Sequence, residues 1–153
     1  HRNFQGYCTL ETTGQVYAVG ASSISQLDSA YIQNIKNASQ YINAIEKNNL
    51  AVLRGYSVTI EQKIIREIIN SIMCNYFVDF NKIAEKYKMS ITDIFKIVKF
   101  KEDLLNDFIS DKILNFKSGI MTINERGRLF TRNIAMRFDP MIDQKVGTYS
   151  NTV

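Results

Sequence analysis

The chain has 153 residues, of which 45% are hydrophobic and 22% charged, with 19 basic and 15 acidic side chains and a formal net charge of +4. At this length folding buries about 70% of the surface of the unfolded chain, which is enough for a hydrophobic core. The composition excludes a disordered protein, and no apolar run approaches the roughly 20 residues of a transmembrane helix.

The first predicted elements lie in the glycine-rich first third of the chain. The run VYAVGA at 16–21 predicts a buried strand over 16–20, followed by a small-residue loop at 22–25. Residues 36–48 have helical spacing, which places four side chains on one face: Ala38, Tyr41, Ile42 and Ile45. Residues 52–57, VLRGYS, are predicted to be a short extended linker.

Helix-start signals mark three helices in the next part of the chain. Thr59 and Gln62 have the spacing of a capping box, in which the two side chains satisfy free backbone donors reciprocally. The helix that follows carries a wide apolar stripe and ends near Asn75. Asp79 and Ser90 are N-cap residues for two shorter helices, the second with an acidic residue at the reciprocal position. The apolar positions of these two helices are Phe80, Ile83, Ala84 and Tyr87, then Ile91, Ile94, Phe95 and Val98.

The last predicted elements are a hairpin and a closing helix. The third helical pattern continues through Phe108 with a break near Phe100. Alternating apolar residues over 113–124 then flank Ser118-Gly119, which is a two-residue hairpin signal. A final helix starts at Asn124 and carries four apolar residues: Leu129, Phe130, Ile134 and Met136. Three helices, a hairpin and a closing helix follow one another in the order of a winged-helix domain.

Few residues in the chain offer metal-site or acid–base chemistry. The two cysteines, Cys8 and Cys74, have no metal-like partners at short spacing, and we expect them to be reduced and either structural or incidental. A disulfide between them is the alternative, and it needs an oxidising compartment. His1 is the only histidine, so neither a histidine-based metal site nor a histidine-dependent triad is expected within this chain.

The basic residues leave a nucleic-acid hypothesis open. In a winged helix the third helix enters the major groove, but here its lysines are mixed with carboxylates that repel phosphates. These residues are Lys96, Lys99 and Lys101 among Asp93, Glu102, Asp103 and Asp107. Arg128 and Arg132 lie one helical turn apart and share a predicted face that is suited either to carboxylate binding or to solvent.

Three stretches together resemble one enzyme family. They are HRNFQGYCT (1–9), the passage from GASSIS to YIQN (20–34) and GRLFTRNIAMRFD (127–139). In this order they resemble the C-terminal third of oxygen-independent coproporphyrinogen III oxidase, a radical S-adenosylmethionine enzyme. The junction LRGYSVTIEQ (53–62) and the helix end IMCN (72–75) add support.

The resemblance implies the chemistry of a longer parent protein. Such enzymes convert two propionates of coproporphyrinogen III to vinyl groups in heme synthesis. A 4Fe–4S cluster held by a CxxxCxxC motif cleaves S-adenosylmethionine, and the resulting radical abstracts hydrogen from the propionate. This chain has no CxxxCxxC, so we expect the cluster ligands to precede His1 and the isolated chain to be inactive.

The resemblance also assigns roles to individual residues. Ile24 matches the isoleucine that contacts the adenosyl group, and Phe4 and Gln5 match a pair beside the active site. Arg128 and Arg132 lie in the closing motif, where contact with substrate propionates and domain packing are both open. No catalytic residue and no metal ligand is assigned to this chain. Cys8 stands where relatives often have Thr, which puts a hydroxyl role there in doubt.

The expected architecture is mainly α with a small β component. Residues 1–57 would be the last strands of a truncated partial (β/α) barrel with a linker helix, 58–138 a winged-helix-like accessory domain, and 139–153 a tail. The expected partners are coproporphyrinogen III and S-adenosylmethionine through the full-length protein, which we expect to be cytoplasmic, with neither nucleic acid nor membrane. The alternatives are a winged-helix module that binds nucleic acid or protein, and a heme-handling paralogue.

Overall fold

The computed structural model describes residues 15–141 and the backbone of two short paired strands, β1 (Arg2–Asn3) and β2 (Gly6–Tyr7). The described residues fall into two compact units. Residues 15–63 form the first unit, and residues 64–141 with β1 and β2 belong to the second. Helices and strands occur in both, so the architecture is mixed α/β rather than mainly α.

The first unit contains a three-stranded antiparallel sheet and one helix. The strands are β3 (Ile24–Gln26), β4 (Ala30–Asn34) and β5 (Val52–Ser57), in the order β3-β4-β5. Helix α1 (Ala38–Glu46) connects β4 to β5. The side-chain oxygen of Asn37 accepts a hydrogen bond from the Gln40 amide and caps the helix.

Two predictions for the first unit are wrong. Residues 16–20 are not a buried strand, because Val16 makes only one bridge, to Gln26, and Tyr17 and Val19 are 73% and 87% exposed. The pairing of this run with β3 ends at that single bridge, so no continuous ladder forms along residues 16–20. Residues 52–57 form an edge strand rather than a linker, because β4 supplies their hydrogen-bonding partners.

The face predicted for α1 is present but not buried. Ile42 and Ile45 are 53% and 49% exposed, and no residue of the helix is buried. Periodicity predicts which residues share a face, but it does not say whether another element covers that face. In the described part of the first unit the buried apolar residues are Ala51 and Val58.

The second unit contains the main hydrophobic core. Its helices are α2 (Ile60–Asn75), α3 (Phe80–Tyr87), α4 (Ile91–Ile97), α5 (Asn106–Ser110) and α6 (Thr131–Met136), with α2 beginning four residues before the unit boundary. Short 3-10 helices at Glu102–Leu105 and Arg126–Phe130 precede the last two. The sheet has the order β6-β8-β7, from β6 (Phe77–Asp79), β7 (Leu114–Lys117) and β8 (Ile120–Ile123).

Five phenylalanines form the centre of this core. The ring of Phe80 lies 5.3–6.2 Å from four other rings. Those rings belong to Phe95, Phe100, Phe116 and Phe138. Of the apolar stripe of α2, Ile64, Ile68 and Ile72 are completely buried, as their spacing predicts, and the residues that follow each of them are partly buried.

The local signals of the second half are confirmed. The Thr59 hydroxyl accepts from the Gln62 amide at 3.3 Å, and the Gln62 side chain accepts from the Thr59 amide at 3.0 Å. Asp79 caps α3, and Ser90 caps α4. Ser118 and Gly119 have φ values of 53° and 73°, as a type I′ hairpin requires.

The closing segment differs from its prediction. Asn124 does begin it, accepting from the Gly127 amide at 3.0 Å, but the first turn is a 3-10 helix. This tighter winding moves side chains away from the face that α-helical spacing predicts. Leu129 is 86% exposed and Phe130 46% exposed, whereas Ile134 is fully buried.

Candidate functional site

The residue that the resemblance assigns to cofactor contact lies at the start of a strand. Ile24 is the first residue of β3, pairs with Gln33 of β4 and is 50% exposed. It directly follows a turn in which Gly20 and Ser22 have φ values of 106° and 62°. Exposed apolar surface at a strand end is suited to contact with a flat apolar ligand group.

Hydrogen bonds from two neighbouring elements hold this turn. The side-chain amide nitrogen of Asn34 donates to the Gly20 carbonyl at 3.0 Å and to the Ser23 hydroxyl at 3.2 Å. The Tyr41 hydroxyl accepts from the Gly20 amide at 3.1 Å, and the Ser23 hydroxyl donates to the Gly20 carbonyl at 2.7 Å. Asn34 carries no signal of this role in the sequence beyond its place in the YIQN motif.

Four residues discussed from the sequence lie outside the described residues. They are Phe4 and Gln5, assigned beside the active site, together with His1 and Cys8. Their assignments stay predictions. Cys74, the second cysteine, is half-buried in α2.

The two assigned arginines have different surroundings. The guanidinium of Arg128 lies 4.8 Å from the centroid of the Tyr76 ring, which is a cation–π geometry. Arg132 is exposed on α6. Because Arg128 belongs to the 3-10 helix and Arg132 to α6, they do not share the continuous α-helical face that their spacing predicts.

A cleft of about 460 Å³ lies between α5 and α6 in the second unit. Its walls combine the rings of Phe108 and Phe130 with the carboxylates of Asp107 and Asp111. Arg137 stacks over Phe108 at 5.8 Å. Its polar residues are all exposed, so the cleft provides no desolvated group that would select a ligand.

Acid–base and metal chemistry find little support in the described residues. Between residues 15 and 141 no group of three His, Cys, Asp or Glu side chains converges on a possible metal position. Hydrogen bonding from Ser90, reinforced by Lys96, lowers the pKa of Asp93, and hydrogen bonding from Thr59 lowers the pKa of Glu61. Both carboxylates are on the surface, where these shifts reflect helix capping rather than a catalytic environment. No helix in this part of the chain is long and apolar enough to cross a membrane.

Comparisons with known proteins give consistent matches. Oxygen-independent coproporphyrinogen III oxidase of Escherichia coli strain K12 is 33% identical over 147 residues, 95% of this chain and 31% of that protein. The enzyme of the same name from Salmonella typhimurium is 32% identical over 147 residues, with the same coverage. The Helicobacter pylori strain 26695 enzyme is 32% identical over 154 residues, 99% of this chain and 32% of that protein. No family model matches the chain.

A solved structure shares the fold. Coproporphyrinogen III oxidase from Escherichia coli, described as a radical SAM enzyme, superimposes with a TM-score of 0.77 at 32% identity, covering 93% of this chain and 32% of that one. The class to which the chain is related is therefore that of the radical SAM enzymes. Within this class the chain is homologous, over nearly all of its length, to oxygen-independent coproporphyrinogen III oxidases, and it spans about a third of their length.

Proposed function

We propose that the chain is the C-terminal portion of an oxygen-independent coproporphyrinogen III oxidase. The whole enzyme would convert two propionates of coproporphyrinogen III to vinyl groups with release of carbon dioxide, in heme synthesis in the cytoplasm. The observation that carries the proposal is the agreement of fold and sequence together, with a TM-score of 0.77 at 32% identity over 93% of the chain.

The proposed domains are residues 1–57 as the end of the radical SAM barrel, 58–138 as a winged-helix-like accessory domain, and 139–153 as a tail. The order of α2, α3, α4 and the β7–β8 hairpin supports the second assignment. The capping box at Thr59 and Gln62 supports a start near residue 58. We further propose that this domain covers the active site and excludes water from the reaction.

The residues of this chain do not fit the 4Fe–4S cluster. Such clusters need several cysteine thiolates, and the chain contains only Cys8 and Cys74. We therefore assign no part of cluster binding to it. A contact with S-adenosylmethionine does fit, because Ile24 presents a half-exposed apolar side chain at a strand end. Phe4 and Gln5 are the other proposed cofactor contacts.

When bound in the whole protein, the cofactors supply the radical that takes hydrogen from the propionate. The part of this chain is to bind and orient. Ile24 would pack against the adenosyl group, and the exposed Arg132 is the better placed of the two arginines to reach a substrate carboxylate. For Arg128 the stacking on Tyr76 favours a packing role.

The test compares the whole protein that contains this chain with residues 1–153 alone. Both are treated anaerobically with iron and sulfide, and are then given a reductant, S-adenosylmethionine, coproporphyrinogen III and an electron acceptor, which takes the electron left when each propionate loses hydrogen and carbon dioxide. The formation of 5′-deoxyadenosine and of vinyl products is measured. We expect the whole protein to form both and the isolated chain to form neither. Cleavage of S-adenosylmethionine by the isolated chain, or inactivity of a cluster-loaded whole protein towards coproporphyrinogen III, would contradict the proposal.

The second candidate is a winged-helix module that binds nucleic acid or a protein partner. The helix order and the hairpin favour it, but Lys96 on α4 is paired with Asp93 at 3.0 Å and is less available to phosphates. We expect no binding of double-stranded DNA by the chain at low salt. Binding that weakens steeply as salt rises would favour this second candidate.

A further inference from the structure

We infer that Asn34 and Tyr41 are positioning residues that hold the turn before Ile24 in the conformation from which Ile24 meets S-adenosylmethionine. The inference rests on the proposed function and adds to it the residues that preorganise this contact. Neither residue needs to touch the cofactor. Each acts through the backbone of residues 20–23.

The turn requires external support because its backbone is strained. Ser22 has a φ of 62°, a left-handed conformation that a residue with a side chain rarely adopts. Gly20, at a φ of 106°, uses a conformation open mainly to glycine. A turn of this kind persists only where the surrounding structure over-determines it, and such turns cluster at functional sites.

The support comes from β4 and α1, one on each side of Gly20. Asn34 is the last residue of β4, and its side-chain amide donates to the Gly20 carbonyl at 3.0 Å and to the Ser23 hydroxyl at 3.2 Å. Tyr41 lies on α1, and its hydroxyl accepts from the Gly20 amide at 3.1 Å. Both peptide groups of Gly20 are therefore fixed by side chains from outside the turn.

The position of the turn determines the position of Ile24. The backbone N–H of Asn34 donates to the Ser23 carbonyl at 2.9 Å, and the next pair in the register is Ile24 with Gln33. Because Ile is branched at Cβ, its χ1 angle has few allowed values, and the backbone largely sets where the side chain points. A fixed turn thus gives a fixed apolar surface, half of which is open to solvent.

The consequence for the proposed enzyme is a selective effect on cofactor binding. An apolar contact with the adenosyl group is made both before and during the reaction, so its loss weakens binding without slowing the bound complex. We expect loss of the support to raise the Kd and KM for S-adenosylmethionine about tenfold, as for a lost half-buried aliphatic contact. The kcat and the KM for coproporphyrinogen III should change less than about twofold.

The experiment uses the whole cluster-loaded protein with Tyr41→Phe, which removes one hydroxyl, and Asn34→Ala. The matched control is Asn43→Ala, an exposed position on the same helix as Tyr41. Hydrogen exchange of the segment over residues 18–25 reports on the turn. Equilibrium binding of S-adenosylmethionine, measured calorimetrically without reductant, reports on the cofactor independently of turnover.

In both variants we expect faster hydrogen exchange over residues 18–25 and weaker binding of S-adenosylmethionine. In the control we expect neither change. In an Ile24→Ala background the effect of Tyr41→Phe on binding should vanish, because the two changes act through one contact. A merely structural role of Tyr41 would leave its effect unchanged in that background.

The outcomes separate this inference from the proposed function. If the wild-type protein neither binds nor cleaves S-adenosylmethionine, the proposed function fails, and the inference fails with it. If the wild-type protein is active but the variants bind the cofactor normally, the inference alone is overturned, whether or not the turn exchanges faster. Tyr41→Phe retains the ring, so a folding failure of Asn34→Ala leaves this comparison intact.

Discussion

The guanidinium of Arg128 lies over the ring of Tyr76, with 4.8 Å between the guanidinium carbon and the ring centroid. Tyr76 itself has a left-handed backbone with a φ of 59°, directly after the end of α2, and its carbonyl accepts from the Ile123 amide of β8 at 2.8 Å. The stack thus joins the closing segment to the junction between α2 and the sheet. An arginine with a packing partner of this kind has a reason to be present that does not involve substrate.

Arg128→Ala should lower the free energy of unfolding of the second unit by about 0.5–1 kcal/mol, as expected for an exposed cation–π pair. Exchange of the Ile123 amide, which bonds to Tyr76, is the local measurement. Arg132→Ala is the control and should leave this exchange unchanged. Normal exchange in Arg128→Ala, combined with a raised KM for coproporphyrinogen III, would instead support a substrate contact.

Thr59→Ala should destabilise the start of α2 by about 1 kcal/mol, because it removes the acceptor for the Gln62 amide. Thr59→Ser keeps the hydroxyl and should retain most of the stability. The measurement is amide exchange in the first turn of α2. Equal exchange in the alanine and serine variants would show that the capping box contributes nothing.

Lys88→Gly should stabilise the second unit by about 0.5–1 kcal/mol. Lys88 follows the end of α3 in a left-handed conformation, with φ 54° and ψ 42°. Glycine at this position relieves the strain of that conformation, and this gain exceeds the conformational entropy that glycine loses on folding. The same substitution at Lys82, inside α3 and also exposed, should destabilise by about 1 kcal/mol. Denaturant unfolding, followed by a probe in α3, measures the free energy of unfolding of both variants. Changes of the same sign in Lys88→Gly and Lys82→Gly would contradict the prediction.

Asp93→Asn should reduce stability near neutral pH but not in strong acid. The hydroxyl of Ser90 donates to the Asp93 carboxylate at 2.7 Å, and Lys96 pairs with it at 3.0 Å, so the pKa of Asp93 is lowered on folding. A group with a lowered folded-state pKa adds stability above its unfolded-state pKa and loses it as the pH falls through the folded-state pKa. The free energies of unfolding of the wild-type and Asp93→Asn proteins, measured from pH 7 to strong acid, should therefore converge as the pH falls. A difference that stays constant with pH would refute this prediction.

Gly127→Ala should destabilise the second unit by about 2–3 kcal/mol. A Cβ atom at this position would overlap the backbone carbonyl of Ile113 and lie 2.7 Å from the Ile123 side chain. Gly55→Ala in β5 of the first unit is the comparison for the effect of an added Cβ alone, since this Cβ would meet only the Tyr31 carbonyl at an ordinary 3.8 Å. Thermal unfolding distinguishes the two variants by the fall in Tm. An equal fall in both would show that the close approach at Gly127 is not maintained.

Local features of the second half could be predicted from the sequence because each depends on residues close in the chain. The capping box at Thr59, the N-caps at Asp79 and Ser90 and the turn at Ser118-Gly119 all close within four residues. The α2 stripe is equally local in origin, since helical period alone places Ile64, Ile68 and Ile72 on one side. The family resemblance also came from sequence, through motifs long enough to be specific.

Tertiary structure alone decided the rest. Residues 16–20 and 52–57 are both short apolar stretches, and only the pairing of β5 with β4 makes the second a strand while the first has a single bridge. Strand formation depends on a hydrogen-bonding partner distant in sequence, which no local pattern reveals. The hydrogen bond from Asn34 to Gly20 could not be predicted from the sequence for the same reason. It spans 14 residues and forms only when β4 lies beside the turn.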